Sequence, residues 1–583
     1  VESAADLGSA LSGGCRGVVH LSGLDATRTD DETASALDGD LERGCGSLLH
    51  SIQKLAEIGT TPRPRLWIAT RGAQAVDAET PVSVAQAAVW GLGRTIAVEL
   101  PALWGGLVDL DPKSSAPLSA RQIFDEIFGR RTEDQTAWRR GERYAARLLR
   151  RPEALGAEPL PFRSDGTYLL TGGLGGLGLA VARRMVERGA RNLVLLQRSK
   201  LPARAEWPGV PDGGPRAEQI AAIRELEAAG ARVEVVSADV AREDEVERVL
   251  SEARKSLPEL RGIVHAAGIL DDGILPHLST DRFRKVMAPK ILGAWNLHRL
   301  TSKEKLDFFV SFSSAGALLG SPGQGNYTAA NAGLDGLAHL RRQQGLPSLS
   351  LNWGPWSDVG MAAADARRGD RVAGHGIDSI SPSQGVRLLE RLLGQHRPQI
   401  AVIALDLERL KESWPAAVRF PLFSELAGER VRIDEPRKID LDPARGSIRD
   451  VLSSADPKDR RRLIEDYVAR EIQGVLQLGP SDFDMRRPLD RLGIDSLMAV
   501  ELRNSFESDL PVRVNVVSFL EGSSSSDLAA MLLSQLSFDE PAKREETGDR
   551  MARVLAQIDQ MSDETVAALL AEKKEEAKRR LGP

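Results

Sequence analysis

Between residues 166 and 430 two kinds of pattern alternate. Short apolar runs come first: Tyr168-Leu-Leu170, Asn192-Leu-Val-Leu-Leu196, Val233-Glu-Val-Val236, Ile263-Val264, Phe308-Phe-Val-Ser-Phe312 and Ile400-Ala-Val-Ile-Ala404. Each closes within a few residues on glycine, serine or aspartate. Stretches with apolar positions at helical spacing lie between them, as in Leu179 to Arg188, Arg216 to Ala229 and Pro382 to Gly394. Such runs read as strands and such stretches as helices, and their alternation predicts an α/β unit. Pro202 to Pro215 interrupts it and predicts an exposed loop. From Asp459 the pattern becomes purely helical. Leu463, Tyr467, Ile472, Val475 and Leu476 fall near one stripe, and Leu528, Met531, Leu532 and Leu536 supply another, predicting a small four-helix bundle over 459–537. The charged, proline-containing stretch 431–458 has no period and reads as a linker.

The first 165 residues repeat part of this order. Gly17-Val-Val-His-Leu-Ser-Gly-Leu24 matches Gly262-Ile-Val-His-Ala-Ala-Gly-Ile269, and Arg65-Leu-Trp-Ile-Ala-Thr-Arg-Gly72 matches the strand around Leu306 to Ser313. Val98-Glu-Leu-Pro101 has its echo in Gln344-Gly-Leu-Pro347, and Trp104 to Asp109 in Ser348 to Trp353. Residues 1–165 therefore read as a second, partial α/β half. It has no glycine-rich turn, and around Ala69 to Val89 neither tyrosine nor lysine. A scaffold covering one edge of the second sheet is favoured over a second active site.

Composition narrows the class. A chain of 583 residues implies several domains, and 27% charged with 42% apolar residues describes a globular protein. The net charge of −6 argues for neither nucleic acid nor an anionic membrane as partner. Cys15 and Cys45 are too few for a disulfide or zinc framework, which fits a cytoplasmic location. No metal site is expected. The first residue is Val, as in a piece cut from something longer.

The chemistry starts where the first strand ends. Thr171-Gly-Gly-Leu-Gly-Gly-Leu-Gly178 joins strand to helix, with Gly173, Gly175 and Gly178 at dinucleotide spacing and Gly176 at the head of the helix. Where an NAD site carries an acid after the second strand, this chain has Arg198, suited to the 2′-phosphate of NADP. Asp239 closes the third strand, either against adenine or as the cap of the next helix. Ala266 and Gly268 end the fourth strand with room for a nicotinamide ribose. Lys290, Ser314, Tyr327 and Asn331 follow. Tyr327 lies thirteen residues past Ser314 and four before Asn331, so Tyr327 and Asn331 share one helix face. Ketone reduction needs a proton donor beside the hydride donor. A phenol with an ordinary pKa of about 10 serves if a cation favours its phenolate. Lys290 offers that charge, Ser314 a hydrogen bond to the carbonyl oxygen, and Asn331 a hold on a relay water or backbone group.

Residues 10 to 430 resemble the ketoreductase region of modular polyketide synthases, a branch of the short-chain dehydrogenase/reductases. The likeness rests on Thr171 to Gly178, His265-Ala-Ala-Gly268, Lys290, Ser313-Ser314, Gln324-Gly-Asn-Tyr327-Thr-Ala-Ala-Asn331 and Asn352-Trp-Gly-Pro-Trp356. Ordinary members of the wider family carry lysine four residues after the tyrosine. Asn331 stands there instead, with the lysine upstream, as in polyketide ketoreductases. The resemblance implies two Rossmann-like halves, the first structural (1–165) and the second catalytic (166–430), NADPH as cofactor, and a mobile lid between Trp356 and Gln384, a stretch whose residues alone read equally well as a plain surface helix. It also implies that Leu270, Asp271 and Asp272 orient the substrate. With Leu319 where the opposite class has tryptophan, a D-configured 3-hydroxyl is expected.

Gly493-Ile-Asp-Ser-Leu497 resembles the attachment site of acyl carrier proteins, with 4′-phosphopantetheine on Ser496 at a helix start. A plain helix-capping serine is the other reading. In residues 538–583, Met551, Val554, Leu555 and Ile558 form a short stripe, and Val566, Leu569 and Leu570 a second, expected as a helical docking tail. The expected whole is the end of a synthase module. Its partners are the tethered acyl chain, upstream ketosynthase and acyltransferase domains, a downstream synthase polypeptide and a phosphopantetheinyl transferase, with a homodimer in the full synthase and no nucleic acid or membrane. The competing function is a carrier attached to a silent reductase scaffold.

Overall fold

The computed structural model describes residues 15–26, 33–57, 64–129, 132–152, 154, 160–358, 376–413, 421–426, 448–476, 483–492, 494, 496–514, 519 and 523–536. The chain divides into two compact units, residues 1–439 and 440–583. The docking tail and most of the expected lid (359–375) lie outside the described residues.

Two sheets build the first unit. In the N-terminal half, β1 (Gly17–His20), β2 (Arg65–Arg71), β3 (Trp104–Leu110) and β4 (Gln135–Arg139) run parallel, and β5 (Glu142–Ala145) returns antiparallel on β4. The second half holds β6 (Thr167–Thr171), β7 (Asn192–Gln197), β8 (Arg232–Ser237), β9 (Leu260–His265), β10 (Phe308–Ser314), β11 (Leu349–Trp353) and β13 (Gln399–Val402) in one parallel sheet ordered β13-β11-β10-β9-β6-β7-β8. A short pair, β12 (Ile377–Asp378) and β14 (Ala404–Leu405), stands apart. The large sheet is doubly wound and its order reverses between β6 and β9, so a crevice opens at the carboxyl ends of those strands. Its apolar runs are continuous rather than alternating because both faces are covered.

The repeat seen in the sequence is real in space: β1-β2-β3 keep the order of β9-β10-β11. It extends to a local irregularity. Helices α1 (Ala34–Leu41) and α2 (Ser47–Glu57) are joined by a π turn, Glu42–Gly46. In the second half, α8 (Thr280–Met287) and α9 (Gly293–Thr301) are joined by a π turn, Ala288–Leu292. The third residue of the first turn is Gly44 and of the second Lys290, so the N-terminal copy kept the shape and not the amine. The other principal helices of the unit are α3 (Val84–Glu99), α4 (Ala116–Phe128), α5 (Gly176–Glu187), α6 (Pro215–Ala228), α7 (Glu243–Ser256), α10 (Gly325–Gln343) and α11 (Pro382–Leu392).

The N-terminal half does not cover a sheet edge as expected. No strand of one described sheet pairs with the other, and the halves meet through helices α3 and α10 in a shared core. Small residues let the two backbones approach: a Cβ added at Gly91 would lie 2.2 Å from the Thr328 carbonyl oxygen. The stretch Pro202 to Pro215 is mostly exposed, as expected of a loop, but it holds a short 3-10 turn, Arg204–Gly209. Trp207 is buried there, with the Arg204 and Arg224 guanidinium carbons 4.9 and 5.8 Å from its ring centroid.

The second unit contains α12 (Ile448–Ser454), α13 (Pro457–Leu476), α14 (Ser496–Asp509) and α15 (Ser525–Gln535). Its α13 core face is Ile464, Tyr467, Val468 and Ile472, a stripe rotated from the one read through Leu463 and Val475. Phe506, Phe519, Leu528 and Leu532 close the bundle. Helix α12 falls within the stretch read as linker, with Leu452 buried.

Candidate active site

Every expected reductase residue lies at the carboxyl end of the large sheet. The glycine turn follows β6. Its left-handed residue is Gly172 (φ 66°), which the spacing argument passed over although a Gly-Gly doublet after the strand was the signal. Gly173 packs on Leu195, and at Gly178 an added Cβ would lie 2.3 Å from the Gly172 carbonyl oxygen, so turn and helix need that glycine for close contact. Gly175 caps α5 without a side-chain acceptor and Gly176 is the first helical residue. The first N–H groups of α5 therefore face outward with the positive end of the helix dipole, a fit for a pyrophosphate.

Around this turn, Arg198 is exposed in the bend after β7, its carbonyl accepting from Ser237 Oγ at 2.8 Å. Asp239 is not a helix cap. Its Oδ1 accepts from the Ala241 amide, and α7 starts only at Glu243. The Ala266 amide donates to the Thr171 carbonyl, tying the end of β9 to β6. Gly268 faces Lys290: a Cβ there would lie 2.9 Å from Lys290 Cε.

Lys290 owes its position to the π turn. Pro289 has no N–H for the helix ladder, and the Gly293 amide reaches back five residues to the Ala288 carbonyl. His265 braces the turn. Its Nε2 lies 2.9 Å from the Lys290 carbonyl, which can only accept, so Nε2 carries the proton. Nδ1 then accepts from Thr171 Oγ at 2.8 Å, and Thr171 Oγ accepts the Ala267 amide. Burial, followed by the Lys290 charge, pushes the His265 pKa down to about 3, which keeps this single tautomer neutral. His265, part of the His265-Ala-Ala-Gly268 run, thus positions the lysine turn.

The amine itself is buried. Lys290 Nζ donates to the Phe312 carbonyl at 3.0 Å and lies 5.1 Å from the centroid of the Tyr327 ring. Burial lowers its pKa from 10.5 to about 7, partly opposed by Asp335. Tyr327, Asn331 and Asp335 occupy one face of α10 at four-residue spacing. Asn331 donates from Nδ2 to the Tyr327 carbonyl at 2.7 Å, while its Oδ1 is buried with no partner among the described residues. Such an atom calls for a water. Asp335 went unread, although its spacing from Asn331 was a signal. It accepts from Ser350 Oγ (2.6 Å) and Asn352 Nδ2 (2.8 Å), and burial raises its pKa.

The adjacent serines differ. Ser313 is buried, donates to the Asn331 carbonyl and accepts from Asn352. Ser314 is half-buried, accepts the Gly316 amide at 3.2 Å, and keeps its hydroxyl hydrogen for donation. The Leu270 to Asp272 loop flanks the site with its carboxylates already engaged. Asp271 takes Arg282 (2.7 Å) and Lys285 (3.2 Å), and Asp272 accepts from Gln324 Nε2 (3.1 Å). In the second unit, Ser496 is the first residue of α14.

Residues 166–358 match the family described as KR domain, residues 3–148 the Rossmann fold domain of polyketide synthase extender module SpnB, and residues 466–532 the phosphopantetheine attachment site. A phenolphthiocerol/phthiocerol polyketide synthase polypeptide of Mycobacterium tuberculosis (strain CDC 1551 / Oshkosh) is 35% identical over 534 residues, covering 90% of this chain and 27% of that protein. Polyketide synthase GfsB of Streptomyces halstedii is 37% identical over 505 residues, covering 84% of this chain and 9% of that one. The chain thus spans about a quarter or less of the length of these relatives. Among solved structures, an A-type ketoreductase from a modular polyketide synthase shares 32% identity at a TM-score of 0.61, over 73% of this chain and 86% of that one. A C2-type ketoreductase shares 30% identity at a TM-score of 0.62, over 73% of this chain and 87% of that one.

Proposed function

We propose, from the premise that this chain belongs to the ketoreductases of modular polyketide synthases and carries a phosphopantetheine-attachment domain behind the reductase, that it reduces a β-ketoacyl thioester held on its own carrier arm to the β-hydroxyacyl thioester, with NADPH as reductant. The observation that carries this reading is the buried Lys290 amine 5.1 Å from the centroid of the Tyr327 ring, with Asn331 one turn along the same helix and bonded to the Tyr327 carbonyl, in a sheet whose glycine turn sits at the strand-order reversal.

Gly173 to Gly178 would hold the pyrophosphate of NADPH, with Arg198 for its 2′-phosphate, Asp239 for adenine and Ala266 and Gly268 for the ribose, and the bound cofactor would supply the hydride. The chain does the rest. Ser314 donates its hydroxyl hydrogen to the ketone oxygen, and Tyr327 delivers the proton to that oxygen as the alcohol forms. The Lys290 ammonium near the ring eases the loss of that proton. Asn331 Oδ1 holds the water through which Tyr327 is reprotonated. Ser496 would carry the 4′-phosphopantetheine arm that holds the thioester, and tethering at an effective concentration on the order of mM would make high carrier affinity unnecessary.

Leu270 to Asp272, with Leu319 in place of tryptophan, supports the D-configured 3-hydroxyl. The proposed setting is a cytoplasmic, homodimeric synthase, with a phosphopantetheinyl transferase to load Ser496, ketosynthase and acyltransferase domains upstream, and a further polypeptide bound through residues 538–583. No described helix is long and apolar enough to cross a membrane. NADPH oxidation with a racemic 2-methyl-3-ketoacyl thioester, followed by chiral analysis, tests the reading. A D alcohol supports it, an L alcohol overturns the stereochemical part, and no oxidation favours a silent scaffold.

A further inference from the structure

One carboxylate of the N-terminal half reaches the rim of the site. Glu99 is the last residue of α3 and is fully buried. Its Oε1 accepts the Leu275 amide at 2.5 Å and its Oε2 the Gly323 amide at 3.0 Å. Leu275 ends the loop begun by Leu270 to Asp272, and Gly323 stands four residues before Tyr327. The two segments are joined again nearby, by the Gly273 amide on the Gly323 carbonyl (2.8 Å), Gln324 on Asp272, and Asn326 Nδ2 on the Asp271 carbonyl (2.8 Å). A buried carboxylate held by two amides is a strong, directional clamp, and neither amide has another acceptor in the described structure.

The rest of α3 keeps that clamp in register. Gly91, Thr95 and Glu99 form one stripe. Gly91 lies against Thr328, and Thr95 Oγ is 2.8 Å from Thr328 Oγ, one residue after the tyrosine. Arg94 donates to the Ala317 carbonyl at 2.8 Å, just past Ser314. From α2, Gln53 Nε2 donates to the Leu278 carbonyl at 2.8 Å. The loop, the serine turn and the first turn of α10 are thus each held from the N-terminal half.

We propose that Glu99 is a positioning residue: it locks the Leu270–Leu275 loop to the turn before Tyr327, and so fixes which face of the ketone meets the hydride. The stereochemical consequence rests on the reduction proposed above; the clamp does not. Glu99→Gln keeps the size but offers one acceptor and turns an NH2 toward the second amide.

The test is hydrogen exchange on the full chain together with product analysis. In E99Q, the Leu275 and Gly323 amides should exchange at least tenfold faster while β9 and β10 keep their protection. The minor alcohol diastereomer should rise at least fivefold, with the KM for the thioester raised and the KM for NADPH within twofold. Unchanged exchange at both amides overturns the clamp, and faster exchange with unchanged product composition overturns the positioning role. If the parent chain makes no alcohol, the reductase reading falls and exchange alone decides on Glu99. Should E99Q fail to fold, Glu99→Asp, which keeps the charge but is a methylene shorter, must release one of the two amides; protection of both in that variant refutes the clamp.

Discussion

Replacing Lys290 with methionine should make the reductase unit more stable and inactive. The buried ammonium has its pKa lowered from 10.5 to about 7, with burial the leading cause. At about 1.4 kcal/mol for each pH step, holding this lysine at neutral pH costs about 5 kcal/mol, an upper bound because methionine forfeits the hydrogen bond to the Phe312 carbonyl. A gain of about 1–3 kcal/mol is expected in urea unfolding at pH 7, with reduction abolished. The sign of the pH dependence follows from the lowered value. Below pH 7 the penalty is fully present. Between 7 and 10.5 the unfolded chain holds a proton that the folded chain does not, so wild-type stability rises with pH. Between pH 7 and 9 the advantage of K290M over wild type should shrink by about 2–3 kcal/mol, and this difference cancels the groups common to both chains. An advantage independent of pH, or a K290M chain less stable at pH 7, would refute the assignment of a strained, buried amine. Function and stability oppose each other at this position because the site places an amine where water cannot solvate it.

Further outcomes follow from the same geometry. Arg198→Ala should raise the KM for NADPH about tenfold to a hundredfold, the worth of a charge-assisted hydrogen bond pair, and leave the KM for NADH nearly unchanged; equal effects on both would remove Arg198 from the 2′-phosphate. Tyr327→Phe should lower kcat by roughly a factor of 10² to 10⁴ with little change in NADPH binding, measured by fluorescence titration, and a near-normal kcat would exclude the proton-donor role.

Much of the reductase was legible because the physics involved is local. A strand, a glycine turn and a helix are adjacent in sequence, and Tyr327 and Asn331 share a face through helical spacing alone. The π turn at Lys290 was not legible. It depends on Pro289 and on His265, a residue twenty-five positions upstream that meets the turn only once β9 is in the sheet. Asp335 is legible only in part: its spacing from Asn331 marks the helix face, but its role depends on Ser350 and Asn352, which come from β11. The packing of the halves is hidden in the sequence for a related reason. The repeat suggested a second sheet, and a second sheet suggests contact at an edge. The small residues of α3 and α10 were the better guide, since only close helix contact explains Gly91 opposite Thr328. The α13 stripe was displaced because its seed residues mixed core positions with flanking ones.

The most direct test follows the substrate itself. The holo chain, with a β-ketoacyl group loaded on the Ser496 arm, is mixed with NADPH and the acyl-phosphopantetheine fragment is weighed by mass spectrometry. Wild type should show a gain of two hydrogens within one turnover, Tyr327→Phe none, and Ser496→Ala no loaded arm at all. A loaded wild-type arm that keeps its mass while NADPH is present would contradict the proposed reduction.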